Sequence, residues 1–203
     1  MRKRVCAAAV ALMASALPIG LGATPTLAAT TTTTWTVTPG GAFSGATGQI
    51  TLWDSVTNYQ MGCTSGQLAG TLKSGSGLNG YGIGTITSMT LCSTSETTPW
   101  PLIAKAYNPH SVGGATTVNI KKIHFASSAS GCSFVVDGTS DTADNGSIRL
   151  KYYNNTHRLH TVSNGSTLHF YDVSGCDGLI HSGDAMFIVV YYEISPAQTI
   201  SSP

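Results

Sequence analysis

Charged residues are scarce in this sequence, since Asp, Glu, Lys and Arg together make up only 9% of its 203 residues. A typical soluble domain carries about 25% charged residues. The shortage of cations excludes the dense basic surface on which nucleic-acid binding depends, and we therefore expect no nucleic-acid partner. Uncharged Ser, Thr, Gly and Asn must supply most of the polar surface. That composition suits an extracellular β protein and leaves few groups for acid–base chemistry.

The sequence also lacks the common signatures of catalysis and cofactor binding. It contains no CxxC pair, no HExxH motif and no GxSxG nucleophile elbow, which mark zinc or redox sites, metalloproteases and serine hydrolases. The glycine-rich segment KSGSGLNGYG lacks the ending of a phosphate-binding loop, so we predict a flexible connection there. These absences favour a non-enzymatic binding or cell-surface protein without a cofactor. The alternatives are a secreted hydrolase and, third, a pore-forming or antimicrobial protein.

The first 29 residues have the pattern of a secretory signal peptide. The basic start MRKR precedes an apolar, alanine-rich stretch, and small residues surround Ala28 and Ala29. Pro18 interrupts the apolar run, which argues against a stable membrane anchor. We expect cleavage after Ala29 and one secreted domain over residues 30–203, located outside the cell or at the cell wall. The sequence leaves the oligomeric state of that domain open.

Four cysteines follow the predicted signal peptide: Cys63, Cys92, Cys132 and Cys176. An even number of cysteines in an exported chain indicates disulfides. Three pairings are compatible with the sequence, and we favour Cys63–Cys92 with Cys132–Cys176 because each joins neighbours in the chain. Each bridge would stabilise the fold by about 3–4 kcal/mol, because it restricts the unfolded chain.

Short runs rich in Thr, Val, Ile and Tyr, separated by Gly, Asn and Pro, predict an all-β fold. We expect a single antiparallel β-sandwich or β-barrel stapled by the two disulfides. The predicted strands are 35–38, 49–54, 60–64, 82–92, 102–107, 115–126, 133–136, 147–153, 158–163, 167–173 and 185–194. The last of these, AMFIVVYYEI, is apolar at nearly every position, which predicts a central strand that is buried on both faces and serves the fold.

The stretch HRLHTVSNGSTLHFY, residues 157–171, contains three histidines around an Asn-Gly pair. Asn164 and Gly165 predict a two-residue hairpin turn. Such a turn places His160 opposite His169 on the outer face and turns His157 toward the core. Two histidines without a neighbouring carboxylate are a poor metal site, so we expect no metal ion there.

A second two-residue turn, at Asn154 and Asn155, would place Lys151 opposite Arg158. The outer face would then carry basic and aromatic side chains from three strands: Arg149, Lys151, Tyr153, Arg158, His160, His169 and Tyr171. We predict that this face is a candidate site for an anionic cell-wall polymer or glycan. The alternative is a solvated face with no ligand, on which the long side chains splay apart.

The segment DGTSDTADNG, residues 137–146, is the calcium candidate of the sequence. It offers four side chains with oxygen ligands: Asp137, Asp141, Asp144 and Asn145. Calcium prefers several oxygen ligands from a flexible loop, although the order of these residues does not match an EF-hand. The alternative is a turn-rich loop in which Asp and Asn bond to their own backbone.

Two further groups have both a functional and a structural interpretation. Four residues cluster near Cys176 in the sequence: Asp172, Asp177, His181 and Asp184. An Asp–His pair among them could orient a base beside Ser182, or all four could belong to a loop pinned by Cys176. The three tryptophans could line a sugar-binding surface, although tryptophan is more often partly buried core. They are Trp35, Trp53 and Trp100.

Six segments together resemble a group of small secreted proteins of actinobacteria that have no assigned function. They are WTVTPGGAFSG (35–45), GTLKSGSGL (70–78), GIGTITS (82–88), VDGTSDTADNG (136–146), SGCDGLIHSGD (174–184) and SPAQTISSP (195–203). The resemblance covers essentially the whole chain after the predicted signal peptide. It implies export by a Gram-positive organism, and it supplies no catalytic residue and no ligand.

Overall fold

The computed structural model describes residues 33–91, 94–96, 99–108, 110, 114–129, 131–162 and 165–203. These residues form strands, turns and loops and contain no helix, so the predicted all-β class is confirmed. None of them belongs to a helix that could cross a membrane. The predicted signal peptide lies outside the described residues.

The described part of the chain contains seventeen strands. They are β1 Thr34–Thr38, β2 Gly41–Thr47, β3 Ile50–Asp54, β4 Gln60–Cys63, β5 Gly66–Leu72, β6 Gly75–Asn79, β7 Gly84–Leu91, β8 Thr94–Glu96, β9 Trp100–Asn108, β10 Ala115–Ile123, β11 Phe125–Ala129, β12 Cys132–Asp137, β13 Gly146–Tyr153, β14 Arg158–Thr161, β15 Leu168–Ser174, β16 Ala185–Ser195 and β17 Thr199–Ser201.

Eight of these strands close into an antiparallel barrel, which decides between the two predicted architectures. The order is β16-β14-β13-β10-β9-β7-β5-β2, and β2 pairs again with β16. Inward residues such as Leu150 on β13 and Leu159 on β14 are buried, whereas Arg149 and Lys151, which flank Leu150 on β13, are exposed. Apolar side chains fill the interior, where they line a cavity of about 20 Å³. The barrel interior is therefore a packed core, as its strand number allows.

Strand β16 is the central strand that the sequence predicts, and it belongs to two sheets. Its C-terminal half lies in the barrel between β14 and β2. Its N-terminal half is the centre of a second sheet, ordered β4-β3-β16-β15-β12-β11. The expectation that both faces of β16 are buried is wrong, because Val189 and Tyr191 expose 52% and 48% of their surface.

A third sheet, ordered β17-β1-β6, packs against the barrel. Trp35 and Ile200 of this sheet are buried in the common core, and Ile200 O accepts a hydrogen bond from Thr116 Oγ1 of β10 at 2.7 Å. Strand β6 lies inside the segment KSGSGLNGYG, so the predicted flexible connection there is wrong. Its backbone pairs with β1 although its glycines disfavour a strand.

Strands β2 and β5 were not predicted because their glycines suggest loops. In the barrel these glycines allow close approach between strands. A Cβ atom on Gly70 would meet the ring of Phe43 and the backbone oxygen of Thr85. The glycine pattern of β5 is therefore a packing requirement of the barrel.

The predicted bridge between Cys132 and Cys176 is confirmed, and it joins the start of β12 to the loop after β15. One disulfide is thus established of the two that we predicted. The bridge from Cys63 to Cys92 stays a prediction, because Cys92 lies outside the described residues.

The predicted hairpin that pairs His160 with His169 is wrong. Strand β14 lies between β13 and β16, whereas β15 lies between β12 and β16. His160 is opposite Tyr191, and His169 is opposite Asp137. The local Asn-Gly signal fails because the long β16 lies between the two strands that it was expected to join.

The predicted turn at Asn154 and Asn155 is also longer than expected. Tyr153 pairs with Arg158 across a loop of residues 154–157, and Lys151 therefore faces His160. This register is shifted by two residues, which keeps every side chain on its predicted face. It also separates Lys151 from Arg158 and so removes the like-charge pair that the shorter turn would create.

Candidate functional site

The seven residues of the predicted anionic-ligand face separate into two places. Five of them lie on the outer face of the barrel: Arg149, Lys151, Tyr153, Arg158 and His160. The other two belong to the second sheet, where His169 Nδ1 lies 2.7 Å from the backbone oxygen of Gly138 and Tyr171 donates its hydroxyl to the same atom at 3.2 Å. His169 and Tyr171 therefore hold the loop after β12 and do not extend the barrel face.

Tyr191 of β16 joins the five barrel residues, although the apolar sequence of β16 predicted a role in the fold alone. Lys151, His160 and Tyr191 form one row across three strands, and Tyr153 is opposite Arg158 in the next row. Residues opposite each other share a face of the sheet. We call this surface the basic–aromatic face and define it by six residues: Arg149, Lys151, Tyr153, Arg158, His160 and Tyr191.

The aromatic rings of the basic–aromatic face form a continuous track. The ring centroid of His160 lies 5.2 Å from that of Tyr153 and 5.8 Å from that of Tyr191. These separations are within the range in which aromatic rings interact favourably. The track therefore presents three neighbouring rings, of which Tyr191 is the most exposed.

The positive charge of the face comes mainly from Arg149 and Lys151, which are both exposed. Arg158 is exposed as well, but its guanidinium donates a hydrogen bond to Glu193 at 2.6 Å. An exposed ion pair of this kind contributes little to stability. Glu193 does, however, neutralise one of the three cations.

His160 lies in the middle of the aromatic track, next to Tyr153 and Tyr191. Its partial burial lowers the pKa of the imidazole, and the nearby charge of Arg158 lowers it further. The ring is therefore neutral at neutral pH. Its Nε2 atom is buried and has no hydrogen-bond partner among the described residues.

A cleft of about 340 Å³ continues the track along β16. Arg149 and Val189 line it, together with Trp53 and Phe187, whose ring centroids are 5.9 Å apart. The Nε1 atom of Trp53 is buried and has no partner in the described part of the chain. Because Arg149 belongs to both features, the cleft and the basic–aromatic face form one surface.

Only one of the three tryptophans lies near this surface. Trp35 and Trp100 are buried in the core, which matches the structural interpretation, and Trp53 is half-buried beside Phe187. The alternation of β3 could have placed Trp53 on the outer side, but only the pairing with β16 brings it to Phe187.

The calcium candidate loop is built around the carboxylate of Asp137, which is fully buried. Its Oδ1 accepts backbone N–H bonds from Gly138, Asn145 and Gly146, and its Oδ2 accepts one from Asp144 at 2.8 Å. The loop therefore bonds to an aspartate of its own segment, as the alternative interpretation expects. Among the described residues, Asp137 and Asp144 belong to one cluster of possible metal ligands, and Asp141 does not belong to it.

Burial and hydrogen bonding act in opposite directions on the pKa of Asp137. Desolvation raises it, whereas the hydrogen bonds from Gly138, His124, Asp144 and Asn145 lower it, and the result is a pKa below the usual value of 3.8. The carboxylate is therefore ionised at neutral pH. A buried carboxylate remains charged when it accepts several N–H bonds.

The candidate catalytic group does not converge on one site. Asp184 Oδ2 accepts the backbone N–H of His181 at 3.1 Å and lies 3.2 Å from its ring Nδ1. Asp177 instead lines a groove of about 650 Å³ beside the disulfide, between Cys132 and Tyr59. His181 is not among the residues that line this groove, so its contact with Asp184 fits a local turn better than a base oriented for catalysis.

No family model, no curated protein sequence and no solved structure matches this chain. The resemblance to secreted actinobacterial proteins therefore stays a prediction. What the fold and the site define is a class: a β-barrel with a packed interior, a second sheet built on its longest strand, and a basic–aromatic outer surface. The function is inferred from that surface.

Proposed function

We propose that this protein is a secreted, non-enzymatic binding protein whose basic–aromatic face holds an anionic glycan or cell-wall polymer. The observation that carries the proposal is the continuous track of Tyr153, His160 and Tyr191, flanked by the exposed cations Arg149 and Lys151. The proposed ligand is a chain of sugar or polyol units that bears carboxylate or phosphate groups.

The two kinds of side chain would have different roles in binding. Tyrosine and tryptophan rings offer an apolar surface to the C–H groups of a sugar ring, and the hydroxyl of tyrosine can bond to its polar edge. Arg149 and Lys151 would attract the anionic groups, with Arg149 able to form paired hydrogen bonds. The cleft between Trp53 and Arg149 gives the chain a path beyond the first units.

The other functions considered from the sequence gain less support. A pore requires an open lumen, and the interior of this barrel is filled by apolar side chains. A hydrolase requires converging titratable groups, and Asp177 and His181 do not share a site. The disulfide between Cys132 and Cys176 is in keeping with an oxidising compartment, where a wall or glycan ligand would be met.

The test is binding of the purified protein to immobilised polygalacturonate and to poly(glycerol phosphate), with a neutral glucan as the third probe. We expect affinity for at least one of the anionic polymers, and that affinity should fall with added salt. The double variant Arg149→Glu/Lys151→Glu should weaken binding at least tenfold, because it reverses both exposed cations. Tyr191→Ala should weaken binding without altering its salt dependence.

The matched control is Lys73→Glu/Lys105→Glu, which makes the same change of net charge at exposed positions outside the face. Equal losses in the two double variants would mean that only the net charge matters and would overturn the assignment of this face. Absence of binding to both anionic polymers would overturn the proposed ligand class.

A further inference from the structure

Three side chains that offer possible metal ligands meet at one end of the second sheet. His124 lies between β10 and β11, Asp137 ends β12, and Asp144 lies in the loop before β13. His124 Nδ1 is 3.0 Å from Asp137 Oδ2 and 3.8 Å from Asp144 Oδ1. All three ligand atoms lie within 4.8 Å of one another, and in the described residues no other three His, Cys, Asp or Glu side chains meet in this way.

We propose that His124, Asp137 and Asp144 bind a divalent transition-metal ion such as Zn²⁺. The proposal does not depend on polymer binding by the barrel. It also differs from the calcium candidate of the sequence, because it replaces Asp141 and Asn145 with a histidine from another segment. An imidazole nitrogen beside two carboxylates suits zinc and its neighbours, whereas calcium prefers oxygen ligands alone.

The spacing of the ligand atoms agrees with the size of such a site. Zinc binds nitrogen and oxygen at roughly 2.0–2.2 Å in a tetrahedral arrangement, which places neighbouring ligand atoms about 3.3 Å apart. The distances of 3.0 and 3.8 Å from His124 Nδ1 bracket that value. The side chain of Asp144 is 73% exposed, so it can move to close the remaining gap. Three protein ligands would leave a fourth position open to water.

The carboxylate of Asp137 is the most rigidly held ligand of the cluster. It is buried, and backbone N–H groups of Gly138, Asn145 and Gly146 hold Oδ1 in place. Hydrogen bonds from outside the coordination sphere commonly orient a metal ligand in this manner. Oδ2 accepts the backbone N–H of Asp144 at 2.8 Å and lies 3.0 Å from His124 Nδ1, and a bound ion would replace the hydrogen bond between Nδ1 and Oδ2.

The test is an isothermal calorimetric titration of Zn²⁺ into untagged protein that has been treated with EDTA and desalted. A parallel titration uses Ca²⁺. We expect one equivalent of Zn²⁺ to bind, a rise in the melting temperature with added Zn²⁺, and no comparable response to Ca²⁺. Co²⁺ as a spectroscopic substitute should give the visible absorption of a low-coordinate site.

Asp144→Asn should weaken Zn²⁺ binding at least tenfold, and Asp141→Asn should leave it unchanged. Asn tolerates the left-handed backbone conformation at position 144, where φ is 48°, so the first variant should fold normally. His124→Gln provides a second loss-of-ligand variant whose fold can be checked by its melting temperature without metal. Absence of saturable one-equivalent binding would overturn the site. Equal affinities of the Asp144→Asn and Asp141→Asn variants would do the same.

Discussion

Arg158 and Glu193 face each other on neighbouring strands of the barrel, and the guanidinium of Arg158 donates a hydrogen bond to the carboxylate at 2.6 Å. The pair neutralises one cation of the basic–aromatic face. Glu193→Gln should therefore free Arg158 and strengthen polyanion binding several-fold at low ionic strength, with a smaller gain in high salt. Binding isotherms on polygalacturonate at two salt concentrations measure this effect.

The control for Glu193→Gln is Asp141→Asn, which removes one negative charge from the loop before β13. If both variants gained affinity equally, the effect would reflect net charge and not the release of Arg158. The free energy of unfolding should change by less than about 1 kcal/mol in either variant, because exposed ion pairs contribute little.

Polyanion binding should strengthen as the pH falls below neutrality, because His160 gains a proton. Partial burial and then the charge of Arg158 hold the pKa of His160 below 6.5, so the ring is neutral at pH 7 and becomes a cation only as the pH falls through this lowered value. The gain should disappear in His160→Gln, which cannot titrate. A binding series between pH 7 and pH 5 tests this, and equal slopes for the two proteins would contradict it.

The same pKa shift predicts the sign of a stability effect. The unfolded chain binds the His160 proton more readily than the folded protein does, so this group contributes stability above its unfolded pKa of about 6.5 that is lost as the pH falls through the folded pKa. Relative to wild type, His160→Gln should therefore gain stability as the solution is acidified. Urea unfolding at several pH values measures the difference.

Asp137→Ala should be among the most destabilising single substitutions in this protein. It removes the acceptor of four backbone N–H groups in the loop that leads to β13 and leaves them without a partner. We expect a loss of about 3 kcal/mol or more in the free energy of unfolding. Asp141→Ala, in the same loop, should change it by less than about 0.5 kcal/mol. Similar losses in both would contradict the central role of Asp137.

The disulfide between Cys132 and Cys176 should stabilise the fold substantially. It joins residues separated by 44 positions, and the loss of loop-closure entropy in the unfolded chain predicts about 4 kcal/mol for a loop of that length. The double variant Cys132→Ser/Cys176→Ser should unfold at correspondingly lower denaturant concentration. Peptide mapping of the unreduced protein would confirm this pairing and determine the partner of Cys63.

Gly70→Ala should destabilise the barrel because the added methyl group has no space between Phe43 and Thr85. We expect a cost of about 1–3 kcal/mol, which is typical of overpacking a core. Gly62→Ala on β4 is the matched control, since a Cβ atom there has no neighbour within 4 Å. Chemical unfolding of both variants compares them, and an equal cost would contradict the packing explanation.

The elements that sequence reasoning identified correctly depend on short-range chemistry. The alternation of β13 placed Arg149 and Lys151 outward and Leu150 inward whatever the register, because a shift of two residues keeps each side chain on its face. The β-class followed in the same way from short runs of β-branched and aromatic residues. The favoured bridge from Cys132 to Cys176 is present as well.

The wrong predictions of strands and turns occurred where a glycine or an Asn-Gly pair is compatible with more than one local structure. Glycine predicts a loop when it stands alone in a sequence, yet Gly70 lies in a barrel strand because a neighbouring ring occupies the space of a side chain. The Asn-Gly pair predicts a hairpin between adjacent strands, but β14 and β15 both pair with β16. Strand partners that are distant in the sequence outweighed both local signals.

The sequence by itself determined the secondary-structure class and the alternation of faces along each strand, because these depend on residues close together in the chain. Only the tertiary structure decided which faces became neighbours. It closed the barrel through β2 and β16, brought Tyr191 to His160, and placed His124 beside Asp137. These contacts depend on strand order and register, and no local pattern of residues encodes either one.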